Sequence, residues 1–250
     1  MKVLSIVNHK GGVGKTTLAV VLGKLLSESV RVLLMDLDPQ ANLTLALTRQ
    51  RSRETPQSYH LLMGEPVEPI KLSESLSLIP SSVLLSLAEK RLANEKDKEL
   101  RLSQNLNRYS DYQIVIIDTP PNLSLPTLNA IVATDGVIVP LQLQYFAVAG
   151  LETIFELLKA VAQSYNKGID VWLAPNAYEK RIATQRDLLE HIQKRAQVPI
   201  LPPIPKRSAF MSLSMDGDIS YLDRDVRSTL NQYIEEVLAW LKRSQTQETF

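Results

Sequence analysis

Residues 10–17 read Lys-Gly-Gly-Val-Gly-Lys-Thr-Thr and combine the residue types that bind phosphate. Glycines let consecutive backbone N–H groups face one concavity, and a helix that begins there adds a dipole that favours an anion. The ammonium group of Lys15 can neutralise phosphate oxygens, and the hydroxyl of Thr16 can ligate Mg²⁺. We therefore expect a nucleotide phosphate site formed by Lys10, Gly11, Gly12, Val13, Gly14, Lys15, Thr16 and Thr17.

The segments on either side of this turn decide how specific the motif is. Apolar residues 3–7 predict a buried strand, and residues 15–29 predict a helix. Strand, glycine turn, Lys-Thr and helix are the order that a phosphate-binding P-loop requires. A tight strand-to-helix turn with an incidental lysine is the alternative, and the Gly-Lys-Thr-Thr ending favours the P-loop.

Carboxylates end two further apolar segments. Asp36 and Asp38 follow residues 31–35, and Asp118 follows residues 113–117. Because ligands of parallel sheets bind beyond the carboxyl ends of the strands, we expect these side chains to share one crevice with the P-loop. A strand-end aspartate beside a P-loop holds Mg²⁺ through water, and a second carboxylate can orient an attacking water molecule.

Lys10 stands where the ordinary P-loop has its first glycine. Residues 10–16 thereby resemble the deviant Walker A box of the ParA/MinD superfamily, in which this extra lysine crosses to the phosphate of a partner subunit. The resemblance implies that ATP with Mg²⁺ is the ligand, that two copies close over ATP as a homodimer, and that Lys10 and Lys15 are catalytic. A solvated loop lysine without this role is the alternative.

Two further stretches carry the same resemblance. Residues 36–40, Asp-Leu-Asp-Pro-Gln, resemble the family's second motif, and residues 118–121 resemble the start of its second switch region. By position, the resemblance implies that Asp38 activates the attacking water. It also implies that Asp36 supports the magnesium shell together with Thr16 and Asp118.

The last third of the chain carries a weaker resemblance. Asn176 follows an apolar segment, and residues 204–207, Ile-Pro-Lys-Arg, resemble the Ile-Pro-Arg stretch of the family. The resemblance implies that Asn176 and Pro205 flank the adenine and that Lys206 and Arg207 contact DNA. The family pattern downstream has drifted in residues 212–217, so no partner specificity carries over from there.

Taken over residues 1–243, the resemblance implies a short ParA-type ATPase. Such an ATPase dimerises on ATP, binds nucleoid DNA nonspecifically and hydrolyses ATP when a ParB-like or cargo-adaptor protein stimulates it. We therefore expect a cytoplasmic, nucleoid-associated protein that positions a plasmid, a chromosome or a protein assembly such as a carboxysome. Because the P-loop begins close to Met1, we expect no helix-turn-helix before it and no sequence-specific operator binding.

A MinD-like ATPase on a membrane surface is the alternative function. It needs a basic amphipathic C-terminal helix with bulky apolar residues. The helix predicted at residues 223–243 carries Leu238 and Leu241 but also Glu235 and Glu236, and a polar tail follows it. We expect this helix to pack against the protein, which makes membrane binding the less favoured function.

Composition excludes several other functions. The chain has 250 residues, 28 Lys and Arg against 27 Asp and Glu, and a formal charge of +1, so its overall charge does not mark a nucleic-acid binder. It has no cysteine, which excludes Cys-ligated iron–sulfur and zinc sites and fits a reducing compartment. We expect no signal peptide, and no apolar run approaches the ~20 residues of a membrane span.

The order of apolar and amphipathic segments predicts the fold. Strands alternating with helices indicate one α/β domain over residues 1–243, with a mostly parallel twisted sheet and helices on both faces, followed by a polar tail at residues 244–250. Besides the segments above, strands are predicted at residues 77–80, 136–140, 169–174 and 198–201. Further helices are predicted at residues 83–109, 122–133, 147–165 and 184–196, with a short one near residues 59–63.

Overall fold

A single seven-stranded sheet runs through the computed structural model, which describes residues 1–50, 57–144 and 147–243. The strand order is β3-β4-β2-β5-β1-β6-β7, and every pairing is parallel except that of β3 with β4. The strands are Lys2–Ile6 (β1), Val32–Asp36 (β2), Ile70–Lys71 (β3), Leu76–Ile79 (β4), Ile114–Asp118 (β5), Gly136–Gln142 (β6) and Asp170–Asn176 (β7).

Helices cover both faces of this sheet, as parallel strands require. They are Lys15–Leu26 (α1), Asn42–Thr48 (α2), Ser58–Leu62 (α3), Ala88–Leu92 (α4), Arg101–Asn105 (α5), Leu125–Ala133 (α6), Ala147–Ser164 (α7), Ala183–Arg195 (α8), Ala209–Asp216 (α9) and Arg224–Arg243 (α10). The predicted fold class, a mostly parallel sheet between helices, is confirmed.

The central strand β5 shows how the sheet separates two apolar cores. Ile114 and Ile116 pack into the core beneath α1 and α10, whereas Val115 and Ile117 pack into the core beneath α3, α5 and α6. Successive side chains of a strand point to opposite faces, so a continuous apolar run is buried on both sides. This burial keeps β1, β2 and β5 side by side and brings their carboxyl ends to one edge.

The last helix, α10, packs against the protein. Its buried side chains include Leu230, Tyr233 and Trp240, which join the core that also holds α1. Leu238 and Leu241 are partly buried against the same core. Among the helices that the structure describes, none combines the length and the apolarity needed to cross a membrane. The predicted tail at residues 244–250 lies outside the described residues.

The single long helix predicted for residues 83–109 is wrong. The segment forms α4, α5 and three 3-10 turns, Val83–Leu87, Lys98–Leu100 and Leu106–Tyr109. Asp97 has a φ of 55°, in the left-handed region that interrupts a helix. The side chain of Asn129 on α6 accepts a bond from the backbone N–H of Leu102 at 3.0 Å, so a tertiary contact fixes the break.

Two other segments differ from the prediction. Residues 198–201 make only an isolated bridge between Ile200 and Leu173 among the described residues, and the neighbouring prolines Pro199 and Pro202 lack the N–H that a ladder needs. Residues 209–216 form α9, which the apolar pattern did not predict. The short helix near residues 59–63 is present as α3.

Gly136 allows two tryptophan rings to pack on β6. A Cβ atom there would lie 2.9 Å from ring atoms of both Trp172 and Trp240. We expect Gly136→Ala to lower the free energy of unfolding by about 1–3 kcal/mol, because overpacking displaces these rings. Urea denaturation measures the change.

Gly168→Ala is the matched control, since a Cβ atom at Gly168 meets nothing within 4 Å. Equal midpoints for the two variants would contradict the packing argument.

Candidate functional site

The glycine turn between β1 and α1 is closed by a contact from β7. Gly12 and Gly14 have φ angles of 73° and 97°, which side-chain-bearing residues rarely adopt. The Nδ2 atom of Asn176, at the end of β7, donates to the carbonyl of Val13 at 2.7 Å. A Cβ atom on Gly14 would lie 2.2 Å from that nitrogen, so only glycine fits. The loop is therefore held in shape by the protein itself.

Lys15 points into this loop and is only 6% exposed. Its ammonium group donates to the carbonyl of Lys10 at 3.2 Å. Burial lowers the pKa of Lys15, and the charges of Asp118 and Asp38 oppose that shift. A cation held in a low-dielectric position beside backbone N–H donors is suited to neutralise phosphate.

The Thr16 hydroxyl and Asp118 form the second part of the site. The hydroxyl donates to Oδ2 of Asp118 at 2.7 Å, while Oδ1 of Asp118 is buried and has no hydrogen-bond partner among the described residues. Burial, together with the charges of Asp36 and Asp38, holds the pKa of Asp118 well above its usual range. An orphaned buried carboxylate oxygen is costly, and a cation or its water would satisfy it.

These two side chains fit Mg²⁺. Magnesium in nucleotide sites takes one or two protein oxygens and completes its shell with phosphates and water. The described residues contain no group of three or more His, Asp or Glu side chains that could hold a metal ion by themselves. Thr16 and Asp118 would therefore supply only part of a magnesium shell, which phosphate oxygens and water would complete.

Asp36 lies beside Asp118 but is bonded within the protein. The register of β2 and β5 pairs the two residues directly. Oδ2 of Asp36 accepts bonds from the backbone N–H and the hydroxyl of Thr44 at 2.9 and 2.7 Å, and Oδ1 accepts from the N–H of Asp38 at 3.0 Å. Burial raises the pKa of Asp36 to about 6. Its contacts connect the end of β2 to α2.

Asp38 lies two residues beyond the end of β2 and is 6% exposed. Its Oδ1 accepts a bond from the N–H of Gln40 at 2.8 Å, and its backbone carbonyl accepts one from the N–H of Ala41 at 2.9 Å. These turn contacts hold the carboxylate close enough to Lys15 for its charge to oppose the lowering of the pKa of Lys15 by burial. A carboxylate so placed can hold a water molecule near a phosphate bound to the loop.

Lys10 extends from the outer side of the loop and is exposed. Its ammonium group donates to Oε1 of Gln144 at 2.6 Å. Gln144 donates in turn to Gln142 at 3.1 Å, and Gln142 donates to the carbonyl of Gly12 at 2.9 Å. Three hydrogen bonds thus join the glycine loop to the segment that follows β6.

Asn176 and Pro205, the predicted adenine neighbours, line one cavity beside the loop. Its volume is about 510 Å³, and its walls include Gly12, Gly14 and the apolar side chains of Leu18 and Ile204. Pro205 bridges to Tyr178 just beyond β7. The cavity joins a phosphate-binding turn to an apolar wall, as a nucleoside site requires.

Lys206 and Arg207, the predicted DNA contacts, line this cavity and are exposed. Lys206 pairs with Glu179 at 2.9 Å, and Arg207 pairs with Asp223 at 3.0 Å. Both side chains therefore lie on the surface, unlike the buried Lys15 and Asp118. Each has an acidic partner that sequence reasoning did not identify.

Sequence reasoning also missed two buried positioning residues. Asn8 donates to the carbonyl of Pro140 at 2.7 Å and accepts from the N–H of Lys10 at 2.9 Å, which anchors the loop to β6. Thr44 orients Asp36 and accepts a bond from the N–H of Ser81 at 2.9 Å. The only local signal was a polar residue directly after the apolar segment 3–7 for Asn8 and one between leucines for Thr44.

Four features together define a P-loop nucleoside triphosphatase. They are a buried strand, a glycine loop with Lys-Thr, a helix and an aspartate at the end of the adjacent parallel strand. Comparison with known proteins supports this class. Residues 1–171 match a family model described as an AAA domain. With the relatives below, the chain belongs to the ParA/MinD superfamily, among the ParA-like partition and positioning ATPases.

Three relatives show the breadth of the similarity. The chromosome partitioning protein ParA of Caulobacter vibrioides is 34% identical over 215 residues, which cover 81% of this chain and 80% of that protein. A variant of McdA from Cyanothece, solved with ATP, superposes with a TM-score of 0.87 at 27% identity and 96% coverage of each chain. Cobyrinic acid a,c-diamide synthase from Mycobacterium smegmatis, solved with an ATP analogue and magnesium, gives a TM-score of 0.77 at 33% identity, covering 86% of this chain and 91% of that one.

We expect the same substitution, Asp to Asn, to change the free energy of unfolding in opposite directions at Asp118 and Asp36. Asp118→Asn removes a charge that Asp36 and Asp38 oppose and keeps an acceptor for Thr16, so we expect the ligand-free protein to become more resistant to urea. Asp36→Asn places an NH₂ group against N–H and O–H donors, and we expect a loss of about 1–3 kcal/mol.

Urea titration of both variants without nucleotide or metal measures the two effects. Destabilisation of the same size in both variants would contradict the two assignments. These are that the buried charge of Asp118 destabilises the protein and that the hydrogen bonds of Asp36 stabilise it.

Proposed function

We propose that this protein binds Mg²⁺ and ATP at the loop between β1 and α1, hydrolyses ATP, and cycles between a monomer and an ATP-bound dimer that holds DNA. One observation carries the proposal. A buried lysine, a threonine hydroxyl and a buried aspartate meet at a glycine loop that Asn176 holds in shape, and one oxygen of that aspartate has no hydrogen-bond partner in the part of the chain that the structure describes.

Each residue of the pocket has a separate task in binding. Lys15 and the N–H groups of residues 11–16 hold the phosphates. Thr16 and Asp118 would hold Mg²⁺, directly and through water, and the ion supplies charge neutralisation between the phosphates. Asn176 and Pro205 form the wall against which the adenine packs. The named ligands of McdA and of the Mycobacterium smegmatis protein support ATP and magnesium as the pair bound here.

Hydrolysis needs a water molecule aligned with the terminal phosphate. We assign that alignment to Asp38, whose carboxylate is held by the N–H of Gln40 and whose charge acts on Lys15. Asp36 then acts as the residue that positions the Asp38 backbone, since it accepts the N–H of Asp38 and two bonds from Thr44. The sequence resemblance implies that Asp36 supports the magnesium shell. We assign it the additional role of fixing the backbone of Asp38.

The dimer rests on Lys10. Its ammonium group lies on the outer surface of the loop, where it bonds a neutral glutamine and no carboxylate among the described residues. An exposed cation beside a phosphate site is available to the phosphate of a second copy. Such an exchange would enclose two ATP molecules between two subunits.

The dimer would bind nucleoid DNA through Lys206 and Arg207 and release it after hydrolysis that a ParB-like or cargo-adaptor protein stimulates. The name of the ParA relative, a chromosome partitioning protein, and the ATP bound to the McdA variant support a nucleotide-dependent partition role. Nonspecific binding needs only phosphate neutralisation, and two subunits double each contact. Burial of the apolar side of α10 supports DNA over a membrane surface, because a membrane-binding helix must expose that side.

Lys15 and Lys10 should separate ATP binding from dimerisation. We expect Lys15→Ala to weaken ATP binding roughly 100-fold or more, because the phosphates lose a buried cationic partner. We expect Lys10→Ala to bind ATP with little change but to remain a monomer. Calorimetry measures the first effect, and light scattering after size exclusion measures the second.

Lys96→Ala, which removes an exposed lysine between α4 and α5, is the control and should behave as the wild type in both measurements. An ATP-dependent dimer of Lys10→Ala would remove this lysine from the interface, and unchanged ATP binding by Lys15→Ala would refute the P-loop assignment.

Asp38 should separate hydrolysis from binding. We expect Asp38→Ala to keep ATP, accumulate dimers and lower the rate of phosphate release by at least about 100-fold, the lower range for a lost acid–base group. A phosphate-release assay with saturating Mg²⁺ and ATP measures the rate. Wild-type turnover in this variant would exclude Asp38 from the chemical step.

A further inference from the structure

A second cavity, the basic depression, opens on the far side of the segment that carries Pro205. Its volume is about 630 Å³. Four cationic side chains line it, and two carboxylates, Glu179 and Asp225, lie among them. The cations are Lys180, Arg181, Lys206 and Arg207. This is a larger cationic surface than the Lys206 and Arg207 pair that the sequence singles out.

Glu179 bonds two of the cations that line the basic depression. Its Oε1 accepts a bond from Lys206 at 2.9 Å, and its Oε2 accepts one from Arg181 at 3.1 Å. Its side chain is 19% exposed, against 64% for Lys206 and 86% for Arg181. These two bonds lower the pKa of Glu179, so the carboxylate is charged at neutral pH. One anion thus bridges two otherwise solvent-facing cations.

Asp223, the acidic partner of Arg207, has a structural role. Asp223 pairs with Arg207, but its Oδ1 also accepts the N–H of Val226 at the start of α10. That bond caps the helix and fixes the carboxylate. Both oxygens of Glu179 face cations instead, so Glu179 can be displaced without unfolding an element.

The basic depression shares a wall with the nucleotide cavity. Pro205, Lys206 and Arg207 line both. The backbone of this wall pairs with the end of β7, since the N–H of Lys206 donates to the carbonyl of Tyr178 at 3.1 Å. Glu179 follows Tyr178 directly, so the bridging anion is attached to the strand that also holds the glycine loop through Asn176.

The lining of the depression indicates what it binds. None of the large exposed apolar side chains in the described part of the chain lines it. A protein partner or a bilayer needs apolar anchors, whereas a nucleic-acid backbone needs only exposed Lys and Arg side chains. The surface therefore matches a row of phosphates better than an acidic protein or a lipid.

We propose that the basic depression binds the phosphate backbone of duplex DNA and that Glu179 is its internal counter-anion, which the phosphates displace from Lys206 and Arg181. The proposal rests on the DNA-binding part of the proposed function. Glu179 stands in for phosphate in the DNA-free protein and sets how strongly DNA must bind to open the depression. Removing its charge frees two cations without adding any.

Glu179→Gln tests this displacement. With a fluorescent 24-base-pair duplex of arbitrary sequence, Mg²⁺ and a non-hydrolysable ATP analogue, we expect anisotropy titrations to show about twofold to fivefold tighter binding, the range set by breaking exposed ion pairs. The slope of log affinity against log salt should steepen by roughly one, because the substitution raises the net charge of the depression by one and leaves no displaced carboxylate to take up a counterion. ATP binding and hydrolysis without DNA should not change.

Glu190→Gln is the matched control. Glu190 pairs with Lys194 at 3.8 Å on α8, so its substitution removes the same charge from an exposed ion pair outside the depression. We expect no steeper salt slope from it. A second comparison uses Lys206→Ala, in which the gain from Glu179→Gln should shrink because one of the two released cations is gone.

The outcomes distinguish the counter-anion role of Glu179 from DNA binding itself. In one outcome the wild type binds DNA, while Glu179→Gln shows the same affinity and salt slope as the wild type or as Glu190→Gln. That result overturns the counter-anion role of Glu179 and leaves DNA binding intact. If neither the wild type nor Glu179→Gln binds DNA while both bind ATP, the DNA part of the proposed function is overturned with it. Tighter capture of Glu179→Gln by anionic phosphatidylglycerol vesicles, without a gain on DNA, would overturn the assignment of the partner.

Discussion

Burial of negative charge at the end of the sheet is the constraint on which the site depends. β2 and β5 pair in register so that Asp36 and Asp118 lie side by side, fully buried. The protein satisfies one of them through Thr44, whereas one oxygen of the other has no hydrogen-bond partner within residues 1–50, 57–144 and 147–243. A buried cation, Lys15, reduces the repulsion but is itself poorly solvated. Placing these buried charges side by side is therefore electrostatically unfavourable, and a cation with phosphates would relieve the cost.

The rest of the fold holds this arrangement in place. Two apolar cores on opposite faces of β5 fix the strands that carry the acids, and β1 between β5 and β6 presents the glycine loop at the same edge. Contacts from β6 and β7, through Asn8 and Asn176, then fix the loop itself. Preorganised donors of this kind need little reorganisation when charge arrives.

The central strands and the phosphate loop could be predicted because their signals are local: continuous apolar runs, glycines and a strand-end carboxylate. The helix predicted at residues 83–109 failed because Asn129, far along the chain, supplies a competing contact for its backbone. Pairings such as Lys10 with Gln144 and Lys206 with Glu179 join residues 134 and 27 positions apart, and no periodicity records them. Residue types predicted which groups carry charge, whereas only the packed chain shows which charges are already neutralised.

The bond between Lys10 and Gln144 changes what assembly of two subunits would cost. A lysine that hung free in solvent would lose its rotational entropy when a partner bound it. Here the side chain is already held near its own loop, so much of that entropy is lost before the subunits meet. The contribution of Lys10 to the proposed dimer is then the difference between a phosphate contact and a glutamine contact. Without phosphate there is no contact to replace the glutamine, so Lys10 would not favour the proposed dimer until nucleotide is present.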